Sequence, residues 1–384
     1  MKVPVEFDSI RPFEPEELPQ VFERMLADEQ FRQVLAYAVP GVPFEAVREK
    51  ILACKTNLEF QQSLCYGFVQ TLINKLTKGC DMDLSTVDVS GRYTFVSNHR
   101  DIVLDSGFLD KLLIDSHFDT TCEIAIGDNL LSLPWVKDLV KVNKSFIVRR
   151  GLSPRETLVA SRLMSDYMHF VIEQKHDNIW IAQREGRAKD SDDRTQPAIL
   201  KMMAVGGGAG SVVEKLRRLH IVPLTISYEY DPCDYLKARE FQLKRDNPDW
   251  KKSAEDDVES MRTGITGYKG YVHYQCAPCI DEWLDSLDPA MPKTEVFDVI
   301  AAHIDKEIHR NYRLYPSNFI ALDMLRGDVS HADRYTAEDK AAFEEYLAGR
   351  LAKIDLPGKD EPYLMERMLT MYANPAINYL KAVE

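Results

Sequence analysis

The stretch that decides the fold is Tyr93-Thr94-Phe95-Val96-Ser97-Asn98-His99-Arg100-Asp101-Ile102-Val103-Leu104-Asp105. Its apolar start reads as a buried strand, and the apolar spacing after Ile102 reads as a helix. A histidine therefore stands at a strand-to-helix turn, followed by Asp101 and then Asp105. In α/β proteins such turns lie at the carboxyl edge of the sheet, where ligands bind. A neutral imidazole held by a carboxylate can take a proton from a hydroxyl. An ordinary reading competes: a strand-end histidine bonded to backbone, with Asp101 capping the helix. A kinase loop is set aside, because the later asparagine, the Gly-rich loop and the Asp-Phe-Gly triplet are missing.

Outward from this turn the chain alternates. Strands are predicted at Tyr93–Ser97, Glu123–Ile126, Ser145–Arg149, Asn178–Gln183, Val222–Tyr228 and Tyr271–Gln275. Helical patterns lie between them, at Ile102–Ser116, Leu130–Val142, Pro154–Gln174 and Gln196–Leu219. Alternation of this kind predicts an α/β fold: a mixed, mostly parallel sheet flanked by helices. Residues 1–85 read as an N-terminal helical domain, with helices at Glu16–Leu26, Glu45–Cys54 and Phe60–Leu76. Breaks fall at Pro40–Pro43 and Lys78-Gly79, and Asp81–Gly91 reads as a linker. Residues 86–325 form the expected α/β domain, with a polar helical insertion at 233–262. Residues 326–384 read as a helical C-terminal extension.

Composition narrows the function. The 384 residues carry a net charge of −13, which argues against a general nucleic-acid binder. No apolar run is long enough to span a membrane, and no signal peptide is evident. The 7 cysteines are odd in number and scattered, which predicts reduced thiols in a cytoplasm.

Further motifs lie downstream. Residues 141–155 hold Lys141, Lys144, Arg149, Arg150 and Arg155 with no acidic residue. Such an island is ordinarily a solvated edge; at a strand end it can also clamp a phosphate. Gln183-Arg184-Glu185-Gly186-Arg187 follows a strand, where glycine lets a ligand approach and Glu185 can accept from hydroxyls. Ile221–Tyr228 is a buried strand with a proline near its start. Cys276-Ala-Pro-Cys279, with His273 before it, is a single pair without a second half-site and reads as structural, so no metal is expected. Gly206-Gly-Gly-Ala-Gly210 lacks a Gly-Lys-Ser/Thr ending and reads as a loop. Arg217, Arg218 and His220 complement a helix dipole.

Taken in order, these blocks resemble the glycerolipid acyltransferase family of glycerol-3-phosphate and lysophosphatidate acyltransferases, in its larger glycerol-3-phosphate-like branch. The matching blocks are Asn98-His99…Asp105, Phe146-Ile147-Val148-Arg149, Glu185-Gly186-Arg187 and Val222-Pro223-Leu224-Thr225-Ile226-Ser227. Gly270–Pro278 and Tyr315–Leu325 resemble later blocks, so the likeness covers about residues 90–325. Two spacings depart. The family's aspartate lies five residues after its histidine, where this chain has Leu104; Asp105 fits an inserted residue and Asp101 is the other candidate. The third block lacks the usual residue between glycine and arginine.

The resemblance implies an O-acyltransferase of phospholipid synthesis. The donor would be an acyl thioester, carried by coenzyme A or acyl carrier protein, with no further cofactor. The acceptor would be glycerol 3-phosphate or lysophosphatidate. His99 would be the general base and Asp105 or Asp101 its orienting partner. Arg149, or neighbouring Arg150, would hold the acceptor phosphate, and Glu185, Gly186 and Arg187 would line the acceptor pocket. Backbone N–H groups after His99 are candidates to hold the oxyanion. No Gly-x-Ser-x-Gly elbow is present, which suits direct attack without an acyl-enzyme. The expected location is the cytoplasm, in solution or peripheral on the cytoplasmic face of a membrane. Two alternatives stay open: the same reaction on another lipid or amino-acid-lipid hydroxyl, and a non-catalytic acyl- or lipid-binding relative.

Overall fold

The computed structural model describes residues 2–131 and 133–384. A seven-stranded sheet, ordered β1-β7-β6-β2-β5-β3-β4, forms its centre. The strands are β1 (Thr77–Asp83), β2 (Thr94–Ser97), β3 (Cys122–Gly127), β4 (Ser145–Val148), β5 (Asn178–Ala182), β6 (Ile221–Tyr228) and β7 (Gly270–Cys276). All neighbouring pairs are parallel except β6 and β7. The expected mixed, mostly parallel sheet flanked by helices is therefore present.

β1 is the strand that sequence reading missed: it spans the expected Lys78-Gly79 break and runs into the expected linker. Gly79, Lys78 and two aspartates hide its pattern, yet Cys80 and Met82 pack against the core on one face. The pattern Gln196–Leu219 is two helices, Pro197–Val205 and Val212–Arg217, split by the glycine loop. That loop is no phosphate cradle, because the N–H groups of Gly206 and Gly207 are bonded to Ser165 Oγ and Asp166 Oδ1.

β2 and β6 are buried throughout, as central strands of a covered sheet should be. Pro223 sits in β6 without breaking the ladder to β2. Its carbonyl accepts from Ala277, so its missing N–H faces the segment after β7, where strand pairing has ended.

Packing contributes more than capping to the helix after the opening turn. Leu104–Asp115 has no side-chain cap at Val103, but buries Leu104, Phe108, Leu109, Leu112 and Leu113. At about 2 kcal/mol each, these outweigh a cap worth about 1 kcal/mol. They share a core with Val69, Leu72 and Ile73 of the Tyr66–Leu76 helix. The other face of the sheet packs against the Pro154–Phe170 and Lys293–Arg310 helices and N-terminal Val3, Phe7 and Ile10. The Leu18–Ala27, Glu29–Ala38 and Phe44–Ala53 helices form a further cluster that takes in Val142. The polar insertion folds as helices Asp234–Asp246 and Ala254–Thr266. Helices Pro316–Arg326, Ala337–Ala352 and Glu361–Val383 make the C-terminal cluster. Among the described residues no helix is long and apolar enough to cross a membrane.

Candidate active site

The turn after β2 is held from both sides. Asn98 lays its side-chain amide on β6, donating to the Ile226 carbonyl at 2.9 Å and accepting from the Ile226 N–H at 2.8 Å. An asparagine can do this because its amide copies a peptide group. His99 follows, its ring edge-on to Trp180 of β5 at 5.6 Å. Trp180 is itself fixed by an Nε1–H bond to Ser97 Oγ.

His99 Nδ1 lies 2.7 Å from Asp105 Oδ2. The same oxygen accepts from the backbone N–H of Arg100 at 2.6 Å and of Asp101 at 3.0 Å. Three donors on one oxygen suit an anionic acceptor. With Asp105 accepting, Nδ1 carries the proton and Nε2 keeps its lone pair. Asp105 is fully buried, whereas the His99 side chain is 14% exposed, so the ring is reachable and its partner is not. Asp101 has a different task. Its Oδ1 accepts from the N–H groups of Val103 and Leu104, both at 2.9 Å, which closes the first turn of the helix. Its burial pushes its pKa up, Asp105 adds to that, and Lys269 opposes it. Of the two candidate partners, Asp105 meets the ring.

The amides expected to hold an oxyanion are mostly taken. Those of Arg100 and Asp101 serve Asp105, and those of Val103 and Leu104 serve Asp101. Of the amides from 100 to 104, Ile102 alone has no hydrogen bond among the described residues.

The basic candidates divide. Arg149 is exposed and makes no ion pair among the described residues. Arg150 is paired with Glu185 and donates its N–H to Asp128 Oδ1 at 3.1 Å. Glu185 and Gly186 are exposed, and Gly186 has φ +65°, which favours glycine. Arg187 differs from these two. It is half-buried, without an ion pair among the described residues. Burial acts to lower its pKa, but Cys233, Asp231 and Asp101 raise it overall. Asp101, on the turn after β2, is thus among the charges that act on Arg187, while Arg150 and Glu185 occupy each other.

Sequence reading missed several residues around this turn. Buried Arg100 donates to Asp193 Oδ2 at 2.6 Å and to Tyr312 Oη at 3.3 Å, and the Tyr312 hydroxyl donates to the same Asp193 oxygen at 2.6 Å. Tyr274 of β7 donates to the Asp105 carbonyl. Behind Arg100 a small cavity is lined by Ser227, Tyr228, Asp231, Tyr312 and Tyr372. The signal for Asn98 and Trp180 was available, since Asn98 precedes the histidine and Trp180 pairs in register with Phe95. Asp193 and Tyr312 carry no such local mark.

Comparison with known proteins follows the same blocks. Residues 81–227 match the family described as Acyltransferase. The matched stretch begins within β1 and ends within β6, so it takes in the His99 turn and the strand-end blocks after it. Among solved structures, the 1-acyl-sn-glycerophosphate (LPA) acyltransferase PlsC from Thermotoga maritima matches with a TM-score of 0.36 and 9% identity, over 76% of this chain and 95% of that chain. No curated protein sequence matches.

Proposed function

We propose that this acyltransferase moves a fatty acyl group from an acyl thioester to a lipid-precursor hydroxyl, with glycerol 3-phosphate or lysophosphatidate as acceptor. The observation that carries the reading is the buried Asp105 holding His99 Nδ1, with the ring itself partly exposed. Nε2 takes the proton of the acceptor hydroxyl as its oxygen attacks the thioester carbonyl. Asp105 keeps the ring in the useful tautomer and steadies the imidazolium. The carbonyl π electrons move onto oxygen, and the Ile102 N–H is the donor left free to hold that charge. Collapse breaks the C–S bond, the thiolate leaves, and the imidazolium proton is available to it. The intact His99–Asp105 bond favours a working enzyme over a binding-only relative. Arg187, half-buried near Asp101, supports an anionic acceptor, with exposed Arg149 at the rim.

The pairing of Arg150 with Glu185 supports a second reading, in which the acceptor is a lipid or amino-acid-lipid hydroxyl without a phosphate. Thiol release from palmitoyl-coenzyme A and palmitoyl-acyl carrier protein is measured across a panel of acceptors. Turnover with glycerol 3-phosphate or lysophosphatidate, lost in His99→Ala and weakened in Arg149→Ala, is expected. Turnover confined to uncharged acceptors and indifferent to Arg149→Ala selects the second reading. Absence of turnover above His99→Ala with every acceptor rejects both.

A further inference from the structure

Among the described residues Cys276 and His273 join no group of three potential metal ligands, whereas Cys279 does. Cys276 is buried in the core, and His273 is bonded to Asp81 and Gln275. Cys279 meets other partners. The segment after β7 runs back along the start of β6, with Ala277 N–H on Pro223 O and Ile280 N–H on Ile221 O, both 2.9 Å. This brings Cys279 and Asp281 beside His220, the residue that precedes β6. One ligand atom from each of His220, Cys279 and Asp281 lies within 4.8 Å of the other two.

Three features make this more than a hydrogen bond between His220 Nδ1 and Asp281 Oδ2, which is 2.6 Å long. Asp281 Oδ1 is buried without a partner, so the carboxylate keeps unused acceptor capacity. His220 holds φ +45°, a conformation that costs a non-glycine residue about 1–3 kcal/mol. The three side chains also supply imidazole nitrogen, thiolate sulfur and carboxylate oxygen, the donor set that zinc-class ions prefer.

We infer that His220, Cys279 and Asp281 form a binding site for a zinc-class divalent ion, with water as the fourth ligand. A tetrahedral ion with bonds of about 2.0–2.3 Å sets its ligands about 3.3–3.8 Å apart. The His220–Asp281 pair, 2.6 Å apart, would open by about 1 Å to reach that separation. Binding breaks the Cys279 S–H bond and releases that proton to solvent, while the Nδ1 proton of His220 is lost or moves to Nε2. The site lies at the opposite end of β6 from Ile226, which anchors the catalytic turn. Its role is thus to tie the start of β6 to the segment after β7, not to touch the acyl carbonyl.

The test uses the intact, metal-stripped protein titrated with Co2+ and then Zn2+. One equivalent of Co2+ should give a thiolate-to-cobalt charge-transfer band that Zn2+ displaces. His220→Ala and Cys279→Ser should each weaken binding at least tenfold, while Cys80→Ser should not. In the unsubstituted protein, Zn2+ should slow alkylation of Cys279, a readout that no folding defect can mimic. A missing band, a band unchanged in Cys279→Ser, or alkylation of Cys279 indifferent to Zn2+ overturns the site. None of these readouts depends on acyl transfer.

Discussion

Asp105 Oδ2 serves His99 Nδ1 and the backbone N–H groups of Arg100 and Asp101 together, so one oxygen sets both the ring and the loop beneath it. Replacing it by an amide puts a donor where donors already converge. Asp105→Asn should lower kcat by roughly 10^3–10^4, the range expected when a catalytic histidine loses its tautomer. Asp101→Asn keeps the oxygen that caps the helix and should stay within about tenfold of the parent. Steady-state thiol release on both variants checks this; equal losses would reverse the roles assigned to the two aspartates.

The Asn98 side chain exchanges two bonds with Ile226 inside the sheet. Asn98→Ala leaves a buried N–H and a buried C=O without partners, each worth about 1–3 kcal/mol. A loss of about 2–5 kcal/mol in urea unfolding is expected, together with lost turnover. A variant as stable as the parent would show that water replaces the amide.

Arg187 is half-buried and feels the charge of Asp101, whereas Arg149 is exposed. Arg187→Ala should cost a phosphorylated acceptor about 10- to 100-fold in kcat/KM, as loss of a charge-assisted bond does, and Arg149→Ala less. The acceptor kinetics of the two variants, measured side by side, decide the order. A larger loss in Arg149→Ala would move the phosphate to the rim.

Away from the site, Asp177 accepts from Lys144 at 2.8 Å and lies 3.2 Å from Lys175. Burial alone would raise its pKa, but the two lysines more than reverse this and hold it at about 2, against an ordinary 3.8. A depressed carboxyl stabilises the fold at pH values above its unfolded value and stops doing so as pH falls toward 2. The contribution is on the order of 2 kcal/mol. The stability gap between parent and Asp177→Asn should therefore narrow on acidification from pH 5 toward about pH 2, as unfolding midpoints will report; a gap constant with pH would show that the charge contributes nothing.

Two glycines make a paired test of packing. A Cβ on Gly264 would stand 2.3 Å from Asp101 Oδ2, while one on Gly349, in an exposed helix, meets nothing within 4 Å. Gly349→Ala should stabilise by about 0.5–1 kcal/mol. Gly264→Ala should destabilise and also slow turnover, because Asp101 must shift. Thermal unfolding and kcat of the two variants give the comparison.

How much of this was legible in the chain depends on distance along it. Strands β2 to β7 announced themselves as short apolar runs, and His99 and Asp105 are only six residues apart. β1 was hidden, since an edge strand with one protected face needs only Cys80 and Met82 to be apolar. The ordinary reading of Asp101 as a cap proved sound, and Asp105 took the ring. Arg150, the alternative to Arg149, and Glu185 are paired with each other. Asp193 and Tyr312 were invisible, because nothing in their own neighbourhoods marks them as partners of Arg100.

That last contact sets a lower limit on what can be cut out of this protein. The stretch 81–227 that carries the family likeness contains Arg100 and Asp193 but neither Tyr312 nor Tyr274. Excised by itself, it would lack β7 and the hydroxyl that shares Asp193 with the Arg100 guanidinium. The recognisable module is thus smaller than the machine, and β7 and the segment around Tyr312 are part of the foundation of the turn that carries His99.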